Sequence, residues 1–146
     1  MQLVLGCDHA AFSEKEVLKS FLVALGHDVL DVGTHSSERC DYPDFAQIAV
    51  KEIHNKQCLG ILLCGSGIGI SMAANRFSDI RAALCRSVKE AELSRQHNNA
   101  NVLCLGARIN TVDELKEITS AWLSSSFEGG RHSDRVAKFN QWGTKL

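Results

Sequence analysis

What the chain lacks narrows the reading before anything it contains. No apolar run approaches the roughly 18 residues that a membrane-spanning helix needs. Asp8 interrupts the apolar stretch near the N-terminus, which also carries no basic leader, so neither a spanning segment nor a secretory signal is expected. Charge of one sign is missing too. The formal net charge is −1 over 146 residues, so no overall field draws the chain to nucleic acid or a membrane surface. Any anion must then be held by arginine and histidine placed locally. The six cysteines (7, 40, 58, 64, 85 and 104) include no C-x-x-C pair. Their scatter fits neither a disulfide framework nor a structural zinc, and reduced thiols in a cytoplasmic protein are expected. Repeats, low-complexity tracts and linkers are absent, so one domain over residues 1–146 is expected. Apolar residues at 45% and charged residues at 23% are ordinary for a globular chain with a sizeable core.

The most informative stretch runs from Gly60 to Asn75, GILLCGSGIGISMAAN. Ile61 to Leu63 is too short for a helix and suits a strand covered on both faces. Cys64 stands at its carboxyl end, where open α/β sheets bind ligands. Gly65, Gly67 and Gly69 then let backbone amides approach a ligand closely, and a helix starting among them would aim its free N–H groups at an anion or a developing oxyanion. A dinucleotide fingerprint, G-x-G-x-x-G, fails because Ile70 holds the third glycine position. No acidic residue ends a strand about 20 residues later either. The plain alternative is a tight turn without chemistry. A thiol in the turn favours chemistry, although buried cysteine also serves as a small apolar residue.

Taken in order, the chain alternates strand and helix five times. Gln2 to Cys7 is a short apolar strand followed by Asp8 and His9. Ser13 and Glu16 have capping-box spacing, and Val17, Leu18, Phe21, Leu22 and Leu25 repeat with helical period up to Gly26. His27 to Val32 is a second strand. Asp41 is placed to cap a helix with Pro43 in its first turn and Phe45, Ile48, Ala49 and Ile53 as its inner stripe. After the glycine stretch, Arg81 to Cys85 is a fourth strand, and Ser87 with Glu90 opens a helix reaching about Gln96. Val102 to Leu105 is a fifth strand. Thr111 with Glu114 starts a helix striped by Leu115, Ile118, Thr119 and Trp122. Phe127 to Gly130 breaks that helix, and a last helix is expected from Arg131. The alternation specifies a five-stranded parallel sheet covered on both faces, a Rossmann-like three-layer α/β/α sandwich.

Loops after successive strands share one edge of such a sheet. That edge collects Asp8, His9, the Cys64 turn and Arg108, with His97 and Asn98 as further candidates. Each has a bland reading beside the functional one. Asp8 serves equally as a helix cap, His97 as a solvated residue closing a helix, and Arg131 with Arg135 as a solvated stripe one turn apart. The arginine pair otherwise makes a two-pronged phosphate grip. Their convergence lifts the functional reading.

Several linked segments resemble ribose-5-phosphate isomerase type B. They are GCDHA at 6–10, SER at 37–39 with DYP at 41–43, CGSGIGIS at 64–71, SRQHN at 94–98, NVL at 101–103, and EGGRH at 128–132 with Arg135. The resemblance runs in order from about residue 4 to 136. The chain carries Ser66 where many members have threonine, and the cysteine version of the catalytic loop. The family also acts on galactose 6-phosphate and allose 6-phosphate. The resemblance implies interconversion of ribose 5-phosphate and ribulose 5-phosphate, a step of the pentose phosphate pathway. It implies Cys64 as the base and the Gly65 to Gly69 amides with Ser66 as stabilisers of the enediolate oxygen. His97 opens the sugar ring, Asp8 orients hydroxyls, and Tyr42 and Asn98 line the pocket. The phosphate falls to His9, Arg108, Arg131 and Arg135, the last two from a neighbouring subunit of a homodimer or dimer of dimers. No metal or organic cofactor is expected. A non-catalytic sugar-phosphate or nucleotide binder on the same fold needs no Cys64 with His97. Galactose-6-phosphate isomerase, built from two unlike subunits, is the nearer rival.

Overall fold

The structure is a computed structural model that describes residues 1–146, the side chains of residues 140 and 141 excepted. Five strands, β1 (Gln2–Cys7), β2 (Asp28–Asp31), β3 (Leu59–Cys64), β4 (Ala82–Leu84) and β5 (Val102–Gly106), make one parallel sheet in the order β2-β1-β3-β5-β4. The expected fold is therefore the one observed. Six helices accompany the strands: α1 (Phe12–Ala24), α2 (Tyr42–Lys56), α3 (Ile68–Ala74), α4 (Val88–Asn98), α5 (Val112–Ser124) and α6 (Ser133–Ala137).

The strands alternate strictly between two cores, as a period of two dictates. Leu3, Leu5, Cys7, Ile61, Leu63, Leu103 and Leu105 face Leu18 and Leu22 of α1, Ala91 of α4, and Leu115, Ile118 and Trp122 of α5. Val4, Leu62, Cys64, Val102 and Cys104 face Ala46, Ala49, Val50 and Ile53 of α2 and Ile70 and Ala74 of α3. The strand order creates the crevice. From β1 the chain turns outward to β2 through α1, whereas from β3 it turns the other way to β4 through α3. The loops leaving β1 and β3 therefore diverge, and a groove opens between them at the carboxyl edge.

Several local expectations are corrected. Ser13 caps nothing, because Asp8 accepts from the Ala10 amide and caps a 3-10 turn (His9–Ala11), so α1 starts without a side-chain cap. The inward face of α1 carries Lys15 with Leu18 and Leu22, while Val17, about 200° further round a 3.6-residue turn, is exposed. On α2 the buried stripe is Ala46, Ala49, Val50 and Ile53, with Ile48 exposed; small alanines let that helix lie close to the sheet, which a search for bulky residues underweights. Asp41 takes the cap position of α2 but its side chain makes no capping bond. The Thr111 and Glu114 box at α5 is complete. At α4, Ser87 accepts from the Glu90 amide, but the Glu90 carboxylate reaches the Arg86 amide instead of closing the box. The expected last helix is a 3-10 turn (Gly130–His132) followed by α6 and a second 3-10 turn (Lys138–Gln141).

Lys15 accounts for the α1 correction and ties down the groove wall. Its side chain is 0% exposed, and its ammonium donates to Asp31 Oδ1 and Oδ2 at 2.8 and 2.7 Å and to the Thr34 carbonyl at 2.8 Å. Burial opposes both charges, yet the hydrogen bonds outweigh it: Lys15 sits above its ordinary value and Asp31 below. Asp31 Oδ1 also accepts from the Gly33 amide. The 33–34 segment in turn pairs with β1, Cys7 donating to the Gly33 carbonyl and Thr34 donating to the Cys7 carbonyl. The ion pair thus fixes the strand end from which Asp8 and His9 emerge.

Candidate active site

The carboxyl edge is assembled mainly by main-chain contacts. Cys64 ends β3 at 4% exposure, and its Sγ accepts the Gly67 amide at 3.1 Å. That bond needs the chain to fold back within three residues, which Gly67 permits by taking φ 74° in the left-handed region. The Ser66 hydroxyl accepts from the Ile68 amide at 3.3 Å, so it lies along the same turn. The loop leaving β5 clamps the turn from below: Ala107 donates to the Cys64 carbonyl at 3.0 Å and Arg108 to the Gly65 carbonyl at 2.9 Å.

Two side chains then close over the glycines. A Cβ on Gly65 would stand 3.4 Å from Arg108 Cδ and 3.6 Å from the Ala10 methyl, so Arg108 lies across the turn beside the loop from β1. A Cβ on Gly69 would come within 2.6 Å of Tyr42 Cζ, a distance no side chain tolerates; the Tyr42 ring rests directly on that glycine. Asp8 is 6% exposed, and its Oδ1 accepts from Ala10 at 3.0 Å, so the cap reading holds while the residue still borders the groove. His9 Nδ1 lies 3.0 Å from the Cys40 carbonyl and 3.2 Å from the Cys40 amide, contacts that orient the ring. The remaining core thiols serve as apolar filler. Burial pushes Cys7 up to about 12 and Cys85 up to about 11, and holds Cys104 well above the thiol range.

His97 and Asn98 do not join this edge. They end α4, which runs back against the strands from the carboxyl end of β4 to the amino end of β5. Eleven helical residues at about 1.5 Å each separate them from that edge by about 16 Å along the sheet. The same reversal carries the chain along α5, so Arg131 and Arg135 also fall at the amino edge, both exposed. There the His97 ring stacks on His132 with centroids 4.4 Å apart and planes 10° from parallel. His97 Nε2 lies 3.8 Å from Glu128 Oε2, and the Glu128 amide donates to the Gln96 carbonyl at 3.0 Å. Burial lowers the proton affinity of His132, helped by the neighbouring His97 and the Arg131 guanidinium. Asn98 is exposed and lines an apolar groove of about 400 Å³ with Phe77, Phe139 and Trp142.

The sequence residues therefore fall into two groups. Asp8, His9, Tyr42, Cys64, Gly65, Ser66, Gly67, Gly69 and Arg108 meet at the carboxyl edge; His97, Asn98, Arg131 and Arg135 lie at the other. Glu128 and His132 were missed as neighbours of His97, although the EGGRH segment that holds both was visible. Lys15 and Asp31 gave no signal beyond a charge inside an apolar stripe. The arrangement offers a cysteine sulfur, amides and a hydroxyl around it, and a guanidinium alongside, which suits proton transfer on an anionic substrate.

Residues 3–139 match the family described as Ribose/Galactose Isomerase. The chain belongs to that family. Within it, the chain is 47% identical to ribose-5-phosphate isomerase B of Escherichia coli (strain K12) over 136 residues, 92% of this chain and 91% of that one. The structure of ribose-5-phosphate isomerase B from Clostridium thermocellum superposes with a TM-score of 0.95 at 42% identity, covering 97% of this chain and 96% of that one. The structure of the Mycoplasma genitalium ribose-5-phosphate isomerase B with bound ribulose-5-phosphate gives a TM-score of 0.93 at 38% identity, covering 96% of this chain and 94% of its own. Among the described residues no helix is long and apolar enough to cross a membrane.

Proposed function

We propose that the chain interconverts D-ribose 5-phosphate and D-ribulose 5-phosphate through an enediolate, as one cytoplasmic isomerase domain spanning residues 1–146 and serving the pentose phosphate pathway. The observation that carries this reading is the Gly67 amide on Cys64 Sγ at 3.1 Å, which fixes the sulfur at the mouth of the groove beside the turn amides. In the aldose-to-ketose direction the Cys64 thiolate takes the proton from C2 and returns it to C1, while a proton moves from the C2 oxygen to the C1 oxygen. Negative charge on oxygen in between is met by the turn amides and the Ser66 hydroxyl. Asp8 holds substrate hydroxyls, Tyr42 walls the groove, and His9 with Arg108 takes the phosphate.

The separation of His97, Asn98, Arg131 and Arg135 from Cys64 supports a shared pocket. A second copy of the chain brings its amino edge to the first copy's carboxyl edge, so that the second copy's His97 opens the ring and its arginines complete the phosphate grip. Exposed Ile68 and Met72 on α3, and exposed Phe139 and Trp142 near the chain end, provide apolar surface for such a homodimer or dimer of dimers. The same separation bears on the rival readings, since a simple binder gains nothing from two groups that act only together.

The purified chain assayed against ribose 5-phosphate, allose 6-phosphate and galactose 6-phosphate should turn over the pentose fastest. A faster hexose would reassign the substrate, and binding without turnover would leave a non-catalytic module. Mixing Cys64→Ala with Arg135→Ala subunits tests the sharing: both defects fall in one pocket and the other pocket is intact. With ribose 5-phosphate held well below the KM of Arg135→Ala, activity should return, with at most about half the wild-type sites intact in each mixed dimer. Verified mixed dimers with no recovery would place Arg135 in its own subunit's pocket.

A further inference from the structure

We propose that His97, Glu128 and His132 form a binding site for a divalent transition metal of the zinc class, and that an ion held there withdraws His97 from the reaction. The three side chains each present one donor atom, and these atoms lie within 4.8 Å of one another. They come from separate pieces of chain: the last turn of α4, the extended segment before Gly129, and the following 3-10 turn. Backbone bonds hold those pieces together, from the Glu128 amide to the Gln96 carbonyl at 3.0 Å and from the His132 amide to the Gly129 carbonyl at 3.1 Å. Their nearness is thus built into the fold.

The donor chemistry selects the ion. Two imidazoles and one carboxylate suit zinc, with a fourth position left for water. Calcium and magnesium prefer all-oxygen shells and are excluded by the two nitrogens. His132 is 8% exposed, and its Nε2 accepts from Arg131 Nε at 3.5 Å, so that nitrogen carries a lone pair that the guanidinium must release before an ion binds there. The geometry also sets the adjustment required. Zinc–nitrogen bonds of about 2.0–2.1 Å at a tetrahedral angle place donors roughly 3.3 Å apart. The two rings lie nearly parallel, so their lone pairs run side by side until one ring turns about its Cβ–Cγ bond. The Glu128 side chain, 55% exposed, swings in with little hindrance. Arg131 places a cation next to the ion and Glu128 offsets it, which gives a site of moderate affinity, filled when zinc is raised and emptied by a chelator.

The binding claim stands on geometry alone; the withdrawal of His97 rests on its proposed ring-opening role. Cobalt(II) titrated into the Cys64→Ala protein reads the first without using activity. One ion per chain should bind with visible ligand-field bands and no near-ultraviolet thiolate charge-transfer band. His132→Asn in the same background should abolish those bands, and Glu128→Gln should weaken binding at least tenfold. A thiolate band, or unchanged binding in the His132→Asn protein, overturns the site. The second claim is read with zinc on the otherwise native enzyme. Chelator-reversible inhibition is expected, and Glu128→Gln should keep its metal-free activity while needing at least tenfold more zinc. Equal inhibition of both proteins would mean that zinc acts through a thiol, which overturns the withdrawal. Cobalt binding as described with no zinc inhibition would uphold the site and overturn the role of His97.

Discussion

The two edges of the sheet are built differently. At the carboxyl edge, positions are set by the backbone: a glycine in the left-handed region, amides on a sulfur and on a hydroxyl, a second loop hydrogen-bonded to the first, and a buried ion pair behind β1. At the amino edge the polar groups stand on helix ends and a 3-10 turn, and Asn98, Arg131 and Arg135 are exposed. Proton abstraction from carbon demands a base placed within a fraction of an ångström, and the edge carrying Cys64, the proposed base, is the preorganised one. Groups that grip a phosphate or open a ring tolerate longer side chains and looser anchoring. The division of labour proposed between two copies follows this difference in rigidity.

The comparison is broken most directly by Cys64→Ala. Loss of the base should lower kcat by up to roughly 10⁴-fold, with substrate affinity and folding nearly unchanged. Steady-state kinetics with a direct binding measurement checks this, and a near-native kcat would remove Cys64 from the mechanism.

Next in size is Lys15→Met, which leaves Asp31 buried without its main partner. Stability should fall by roughly 3–5 kcal/mol, measured by denaturant unfolding. The sign of the pH dependence sharpens the test. Asp31 is lowered in the fold, so its contribution is present above the ordinary carboxylate range and is lost as pH falls through its folded value. Lys15 is raised, so its contribution is present below the ordinary lysine range and is lost as pH rises through its folded value. The gap between wild type and Lys15→Met should therefore be widest between roughly pH 4 and pH 10 and narrow on both sides. A gap that failed to narrow below about pH 4 and above about pH 10 would mean the ammonium contributes packing only.

Arg135→Ala probes the looser edge and should be the mildest change. Its stability effect should stay within about 0.5 kcal/mol, as for surface substitutions. The KM for ribose 5-phosphate should rise by roughly 10- to 100-fold, the worth of a hydrogen bond to a charged group, with little effect on unphosphorylated ribose. A large stability loss would show that this edge is structural as well.

The layering and the strand positions were legible because alternating strand and helix segments leave a strong pattern, and the Cys64 turn announced itself through glycine spacing. The bulky-residue stripe failed on α1 and α2 for a common reason: it does not weigh a buried lysine neutralised by a residue 16 positions away, or alanines chosen for close approach. The capping boxes divide in the same way. Thr111 with Glu114 closes locally, whereas Ser13 lost its place to Asp8, which reaches the following turn first.

By itself the sequence determined the element order, the parallel sheet and which side chains are candidates for the chemistry, since these follow from local periodicity and from residue chemistry. Only the tertiary structure decided that β5 inserts between β3 and β4, that Arg108 lies over Gly65 and Tyr42 over Gly69, and that His97 stands on the far edge beside Glu128 and His132. Those outcomes depend on how a helix of given length returns across the sheet and on which long side chains find room there. Both are contacts between segments distant along the chain, and no local pattern carries them.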